Sequence, residues 1–190
     1  AQGRREKEEG RADLADMIEM CSQGPIDVVI SSYGGYSAEQ LVSQVQNAAQ
    51  DLPRPPKWVV LMGGTNDIQM GSHTNLQNTL AHLGQWCEEI QQVVPTAKFF
   101  ISGIIPRPEA YMPALTEQEA EQRFALGQQV NYLNWMIEKE CNETWNFINQ
   151  EGFTERVVRG GVERYIEHKY RGQIHLSEDG YLQLARNICR

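Results

Sequence analysis

The chain has 190 residues, of which 41% are hydrophobic and 22% are charged, and this length and composition suit one compact domain with a sizeable core. Its net charge of −8, with 17 basic residues that form no clear stripe, argues against a nucleic-acid partner. No run approaches the ~18 consecutive apolar residues of a membrane span, and no signal-peptide pattern opens the chain, so we expect a soluble protein, with the cytoplasm favoured.

The amino-terminal quarter predicts a helix, a strand and a second helix. Apolar residues at helical spacing predict a helix from Arg11 to Cys21, after a polar stretch over residues 1–10 that is expected to fray. The β-branched run from Ile26 to Ser32 predicts a strand, which ends at the glycine turn Gly34-Gly35. Ser37 has the pattern of a capping box, so the next helix is expected to run from there to about Leu52.

The rest of the chain alternates strands with helices. Strands are predicted over Lys57–Met62, Ala97–Gly103 and Trp145–Ile148, and helices over Asn75–Val93, Thr116–Cys141 and Glu178–Ile188. The Lys57–Met62 run is almost continuously apolar, which is typical of a buried parallel strand. Such alternation specifies a parallel sheet with helices on both faces. We therefore predict one α/β domain over residues 1–190, a three-layer α/β/α arrangement with a flavodoxin-like sheet.

Three turns are expected to share one edge of this sheet. The Gly34-Gly35 turn, the Gly63–Asp67 turn and the Ile104–Pro108 loop each follow a predicted strand. In open α/β folds, ligands bind at the carboxyl ends of the strands. These three turns should therefore line one crevice.

Three residues could take part in chemistry at this edge. Gly34 lets a backbone N–H approach a ligand closely, or it only forms a tight turn. Asn66 could donate a side-chain N–H to a developing oxyanion, or it could be a turn former. His175, just before the last helix, could be a general base near neutral pH, or a surface or capping residue. Taken singly, each residue leaves both interpretations open.

The order of these residues resembles that of a known family. The segments SYGGYSAEQL, GGTND and IHLSEDGY closely resemble blocks of the SGNH hydrolase superfamily, also called GDSL-type esterases and lipases, over about residues 12 to 190. The resemblance implies the SGNH hydrolase fold, with Gly34 and Asn66 as oxyanion donors and His175 as the base that activates the nucleophile. Each such donor is worth roughly 3–4 kcal/mol in comparable systems. The IIPRP stretch weakly resembles acetylhydrolase-like members and the esterase-like domains of some eukaryotic retroelements.

The nucleophilic serine is the first departure from the family pattern. In the family it lies in a Gly-Asp-Ser turn after the first strand, and the Arg11–Cys21 helix corresponds to the helix that follows that turn. The serine is therefore expected at or before residue 1, so that the first strand of the fold is missing. Ser31, Ser32 and Ser37 are alternatives, but the spacing from Gly34 to Asn66 already fits the second and third blocks of the family.

The acid that orients the histidine is the second departure. The aspartate of the family lies three residues before the histidine, where this chain has Gly172. Glu163, Glu167, Asp179 or a backbone carbonyl could orient His175 instead. A serine–histidine pair can also work without the acid, with a weaker hold on the imidazole tautomer.

The leading prediction is a serine esterase-type hydrolase that cleaves a small carboxylic ester, either of a lipid or of an acetylated sugar, without a cofactor or a metal. Cys21, Cys87, Cys141 and Cys189 fit no zinc motif and are expected to be mostly buried thiols. The absent serine and Gly172 favour one alternative, a catalytically inactive binding or assembly module on the same fold, with a retroelement origin as one option. The strand–helix alternation also fits a flavodoxin-like nucleotide-binding domain, but the phosphate-cradling glycine loop of such domains is missing.

Overall fold

A three-stranded parallel sheet forms the centre of the molecule. The computed structural model describes residues 14–71, 74–141, 145–156, 163–171 and 175–190. The strands β1 (Trp58–Leu61), β2 (Lys98–Ser102) and β3 (Trp145–Ile148) lie in the order β1-β2-β3. Trp58 lies opposite Lys98, and Phe99 lies opposite Trp145. The three strands agree with the prediction to within one residue at either end.

Six helices surround the sheet within the described residues. They are α1 (14–21), α2 (Ala38–Val42), α3 (Val45–Gln50), α4 (Leu76–Val93), α5 (Glu117–Glu140) and α6 (Glu178–Ile188). The predicted bounds of α4, α5 and α6 are confirmed to within one residue, because Asn75, Thr116 and Ser177 each accept a backbone N–H as an N-cap. No helix in the described part of the chain is long and apolar enough to cross a bilayer.

The helix expected from Ser37 to about Leu52 is divided into α2 and α3. Ser37 is the N-cap of α2 and forms the predicted capping box with Gln40. At the end of α2, the Ser43 hydroxyl donates to the Gln40 carbonyl at 2.7 Å. Serine side chains that bond to nearby backbone compete with the helix ladder, and the break between the two helices falls at this point.

The helices cover both faces of the sheet, which confirms the predicted three-layer α/β/α architecture. The larger hydrophobic cluster joins β1 and β2 to α2, α4 and α5, and includes Phe99, Leu83 and Leu133, each at most 1% exposed. A second cluster around Phe153 and Leu184 joins α6 to α1. The parallel sheet is therefore flanked by helices that pack in two separate clusters.

Two short antiparallel pairs lie between β3 and α6, in a stretch that the sequence left irregular. Strand β4 (Thr154–Arg156) pairs with β5 (Glu163–Tyr165), and β6 (Tyr170–Arg171) pairs with β7 (His175–Leu176). Two-residue strands carry too little hydrophobic pattern to be recognised in a sequence. The β6–β7 pair holds His175.

The predicted strand Ile26–Ser32 is wrong, because these residues form no strand in the structure. β-branched residues favour a strand but cannot form one without a neighbouring backbone that completes the ladder. The prediction that β1 is fully buried is also wrong, since Trp58 is 54% exposed and Val60 is 38% exposed. Both corrections concern the side of the sheet on which β1 lies.

All four cysteines are free thiols. Only Cys87 is fully buried, and burial raises its pKa to about 12. The other three are half-buried, and burial raises the pKa of Cys141 to about 11. The expectation of mostly buried thiols therefore holds in full only for Cys87. A raised pKa disfavours the thiolate, so neither Cys87 nor Cys141 suits a nucleophilic role.

Candidate active site

The turn after β1 carries Asn66 to the carboxyl end of the sheet. Gly64 has a φ of +92°, a left-handed backbone that suits glycine. A Cβ there would lie 3.3 Å from both the Ile104 and Leu83 side chains. From Gly64 the chain enters a single 3-10 turn over Thr65–Asp67, and this turn leaves Asn66 exposed. The close packing around Gly64 therefore fixes the position of the turn that carries the Asn66 amide.

The Asn66 amide is bonded to the glycine turn. Its Nδ2 donates to the Tyr36 carbonyl at 2.9 Å, which uses one of the two amide hydrogens and leaves the second for another acceptor. The glycine turn is closed by the bond from Tyr36 N to the Tyr33 carbonyl, with Gly35 at a φ of +86°. The N–H of Gly34, at the second position of this turn, takes no part in that closing bond. Two of the predicted site residues thus lie on adjoining turns.

Asp67 ties the same turn to helix α2. Its Oδ2 accepts the backbone N–H of Ala38 at 2.9 Å, in the first turn of α2. Burial raises the pKa of the Asp67 carboxyl, while the bond from Ala38 and the nearby His82 oppose that rise. The sequence analysis predicts no separate role for Asp67. It lies beside Asn66 in the GGTND block, which is the signal that could have identified it.

Asp67 should make folding stability depend on pH. Because its pKa is higher in the folded protein than the ordinary value of 3.8, the folded state binds more protons than the unfolded state between the two values, and stability falls as pH rises through that window. An Asp67→Asn variant keeps an oxygen for the Ala38 N–H but cannot ionise. Urea unfolding at several pH values should show the wild type losing stability relative to this variant as pH rises from acidic to neutral. A difference that stays constant or changes in the opposite direction contradicts the assignment.

Arg107 fastens the Asn66 turn to the loop after β2. Its Nη1 donates to the carbonyls of Thr65 and Ile68 at 3.0 and 2.7 Å, and its Nη2 binds Glu109 at 2.7 Å. The Arg107 and Glu109 side chains are only 11% and 17% exposed. A largely buried guanidinium with three hydrogen bonds holds its partners firmly. Arg107 therefore braces the backbone on both sides of Asn66, a role that the sequence analysis missed.

The β6–β7 pair that holds His175 is fastened to the same loop. The Tyr170 hydroxyl in β6 donates to the Pro106 carbonyl at 2.8 Å, and burial raises the pKa of this tyrosine. Arg171, the next residue, lies opposite His175 in the antiparallel register. A series of contacts thus runs from His175 through β6 and the Pro106–Arg107 loop to the Asn66 turn. The three turns expected to share a crevice are connected.

His175 itself is exposed on β7. Within the described ranges, no hydrogen bond or ion pair joins it to Asn66, to Gly34 or to a carboxylate. Glu167 and Asp179 are exposed. Gly172 and the side chain of Glu163 lie outside the described residues. The structure therefore connects His175 to the Asn66 turn through intermediate contacts, and it assigns no acid to His175.

The Ser37 and Ser31 hydroxyls both form hydrogen bonds within the structure. The Ser37 hydroxyl accepts the Gln40 N–H in the capping box. The Ser31 hydroxyl donates to Asp51 Oδ2 at 3.2 Å. Ser32 is exposed just before the glycine turn. These contacts support the structural roles that the sequence allowed for Ser31 and Ser37.

Three solved structures with a similar fold are described as a lipase or as esterases. A GDSL-like lipase from Bacteroides thetaiotaomicron has a TM-score of 0.60 at 18% identity, covering 81% of this chain and 69% of that protein. A family 3 carbohydrate esterase from Clostridium thermocellum has a TM-score of 0.56 at 18% identity, over 94% and 82%. An acetyl xylan esterase has a TM-score of 0.53 at 15% identity, over 83% and 77%. At these identities the likeness establishes the SGNH hydrolase fold.

Sequence comparison assigns the family. No curated protein matches the chain. The model of the GDSL-like lipase/acylhydrolase family matches residues 4–182, which is almost the whole chain. This range contains the Asn66 turn, the glycine turn and His175, whose order first indicated the resemblance. The chain therefore belongs to the GDSL-like lipase/acylhydrolase family, whose members are ester hydrolases.

Proposed function

We propose that this chain carries the oxyanion hole and the general base of a carboxylic ester hydrolase. The bond from Asn66 Nδ2 to the Tyr36 carbonyl is the observation that carries the proposal. It holds the amide beside the Gly34-Gly35 turn with one N–H still available. A preorganised pair of donors at one position is what a developing oxyanion requires.

The chemistry would follow the usual course of acyl transfer. A serine hydroxyl attacks the ester carbonyl while His175 Nε2 or Nδ1 takes its proton, and the carbonyl oxygen becomes an oxyanion that accepts hydrogen bonds from Asn66 and Gly34. The C–O bond to the alcohol then breaks, and His175 returns the proton to the departing alkoxide. Water repeats the sequence on the acyl-serine and releases the acid.

As the family pattern implies, we propose that the nucleophile is a serine before the Arg11–Cys21 helix, with Ser32, Ser37 and Ser31 as the alternatives. Ser37 caps α2, and Ser31 binds Asp51. The orienting acid stays a choice among Glu163, Glu167, Asp179 and a backbone carbonyl.

We propose an acetylated carbohydrate as the substrate class. Two proteins that share the fold at TM-scores of 0.56 and 0.53 are described as a family 3 carbohydrate esterase and an acetyl xylan esterase. An acetyl group is small, and the Asn66 and glycine turns lie on the outer edge of the sheet, with Asn66, Gly34 and Gly35 all exposed. A shallow, open edge suits a small acyl group on a bulky alcohol.

Replacing His175 by alanine tests the proposal directly. The natural protein that contains these residues should hydrolyse p-nitrophenyl acetate, and His175→Ala should lower kcat/KM by about 1,000-fold, because general-base catalysis commonly contributes about 100- to 10,000-fold. The matched control is His82→Ala, which removes a half-buried histidine of α4 and should keep most of the activity. If the wild type is no more active than His175→Ala, the hydrolase assignment fails and the inactive binding module is the better description.

A further inference from the structure

A shallow cavity lies between helix α5 and the carboxyl end of strand β3. Its volume is about 210 Å³, below the range of about 300–1,000 Å³ that holds drug-sized ligands, so it suits a ligand of one ring. The described residues that line it include Asn131, Asn134, Trp135 and Glu138 of α5 and Phe147 of β3. We call it the α5 cavity. None of these residues belongs to the candidate active site.

The α5 cavity lies at the same edge of the sheet as the Asn66 turn. Leu61, Ile101 and Phe147 are neighbours in register across β1, β2 and β3. Adjacent strands lie about 4.8 Å apart, so Phe147 is two spacings, or about 10 Å, from Leu61 across the sheet. The Asn66 turn follows β1 at this end. A ligand of several rings in the α5 cavity could therefore extend along the edge toward that turn.

The cavity residues of α5 form one face of the helix. Positions 131, 134, 135 and 138 recur at the spacing of a single helical face. A separate face, which includes Leu133 and Ile137, is buried in the larger hydrophobic cluster. Asn134 has a structural role, because its Oδ1 accepts the Ile104 N–H at 2.7 Å and its Nδ2 donates to the Ile104 carbonyl at 2.9 Å. The other cavity residues of this face are exposed and do not support the core.

Two aromatic rings on α5 form an exposed platform. Tyr132 and Trp135 stack with ring centroids 5.5 Å apart and an angle of 20° between their planes. They are 49% and 50% exposed, and Trp135 also lines the cavity. Because each ring already packs against the other, a ligand that stacks on them costs little further side-chain entropy. Exposed aromatic rings beside a cavity indicate a binding surface.

The polar groups beside Trp135 are available for a ligand. Asn131 and Glu138 are exposed and form no hydrogen bond with another described residue. An amide both donates and accepts hydrogen bonds, and a carboxylate accepts them, so together they can pair with several hydroxyl groups. The lining found in the described residues contains one carboxylate and no cationic side chain. The α5 cavity therefore suits a neutral ligand that is rich in hydroxyls, and it does not suit an anion.

We propose that the α5 cavity binds one ring of a neutral carbohydrate chain. A pyranose ring has a face of C–H groups that packs on Trp135, and a rim of hydroxyls that pair with Asn131 and Glu138. A nucleobase would also stack on Trp135, but its phosphates would meet Glu138 and a net charge of −8. An apolar peptide would leave the Asn131 and Glu138 side chains without partners. A neutral sugar ring satisfies both the aromatic and the polar groups.

The inference deepens the proposed function and rests on it only for the use of the site. If the chain cleaves an acetylated carbohydrate, the α5 cavity holds a sugar unit other than the one whose ester is cleaved. Binding itself requires neither His175 nor a nucleophile. Sugar binding and ester hydrolysis can therefore be measured separately, and His175→Ala should bind sugar as well as the wild type does.

Nuclear magnetic resonance measures binding at this position. The chain has four tryptophans, and Trp135→Phe identifies the indole N–H resonance of Trp135 by its loss. The probes are xylohexaose, cellohexaose and the hexamer of N-acetylglucosamine, each titrated alone. At least one should shift the Trp135 resonance in a saturable way, and should shift that of Trp58 much less. The affinity should be equal at low and high salt, because the ligand carries no charge.

Two variants and a matched control make the test specific. Trp135→Ala should weaken binding at least about 10-fold, because truncating a tryptophan anchor commonly costs more than that. Asn131→Ala should weaken it about 5-fold, through the loss of one hydrogen bond. The control is Trp58→Ala, which removes a tryptophan that is 54% exposed at the start of β1 and should leave the affinity unchanged. Backbone resonances report binding in all three, and circular dichroism checks that each is folded.

Three outcomes overturn the proposal. One is the lack of a saturable shift with all three sugars. Another is an equal loss of affinity in Trp135→Ala and Trp58→Ala. The third is an oligothymidylate that binds more tightly than any of the sugars, more weakly as salt rises, and more strongly to Glu138→Gln, which would make a single-stranded nucleic acid the occupant. Sugar binding without hydrolysis of p-nitrophenyl acetate supports the α5 cavity and counts against the hydrolase assignment alone.

Discussion

Replacing Asn66 by alanine is expected to lower kcat/KM for p-nitrophenyl acetate by about 100- to 1,000-fold, the usual loss for one oxyanion donor. The loss should fall on kcat and leave KM nearly unchanged, since the amide acts on charge that develops only in the transition state. Steady-state kinetics on the natural protein measure both constants.

The Asn66 amide also bonds to Tyr36, so a structural effect has to be separated from a catalytic one. One exposed amide–carbonyl bond contributes about 1 kcal/mol to stability, and Asn66→Ala should lower the free energy of unfolding by no more than that. Asn149→Ala is a matched control, because this asparagine is exposed just after β3 and its amide donates to Glu151. Should Asn66→Ala raise KM with kcat unchanged, the residue binds substrate and is not an oxyanion donor.

Among glycine-to-alanine substitutions in the described residues, Gly180→Ala is expected to be the most destabilising. It should lower the free energy of unfolding by about 3 kcal/mol, at the upper end of the usual cost of overpacking. A Cβ at this position would collide with the Lys169 carbonyl oxygen and approach Leu176 Cβ to 3.1 Å. Lys169 precedes β6 and Leu176 belongs to β7, so the methyl group would push the β6–β7 pair away from α6. Urea denaturation gives the change in unfolding free energy.

The same glycine-to-alanine change at Gly84 is expected to have the opposite effect on stability. Gly84 lies inside α4, and a Cβ there meets nothing within 4 Å. Alanine in a helix interior should therefore stabilise the protein by about 1 kcal/mol. Gly180→Ala should also lower the esterase activity and Gly84→Ala should not, since only Gly180→Ala displaces the pair of strands that holds His175. A Gly180→Ala protein as stable as wild type would contradict the close approach of Lys169.

The helices and strands whose signals are local could be predicted from the amino-acid sequence. Helices α4, α5 and α6 were predicted to within one residue, because caps such as Asn75 and Ser177 and an apolar face lie within a few positions of one another. The apolar runs of β1, β2 and β3 and their alternation with helices indicated the parallel sheet and its ligand edge. The ordered blocks around Gly34, Asn66 and His175 indicated the family.

The tertiary structure was needed to identify the distant groups that brace that edge. Arg107 reaches the Thr65 carbonyl across 42 positions, and Tyr170 reaches the Pro106 carbonyl across 64. It also decided that residues 26–32 form no strand, because a strand depends on a partner that lies elsewhere in the chain or outside it. A helix closes its hydrogen bonds within four residues, so local sequence can specify it, whereas a sheet and a site are completed by groups that folding alone brings together.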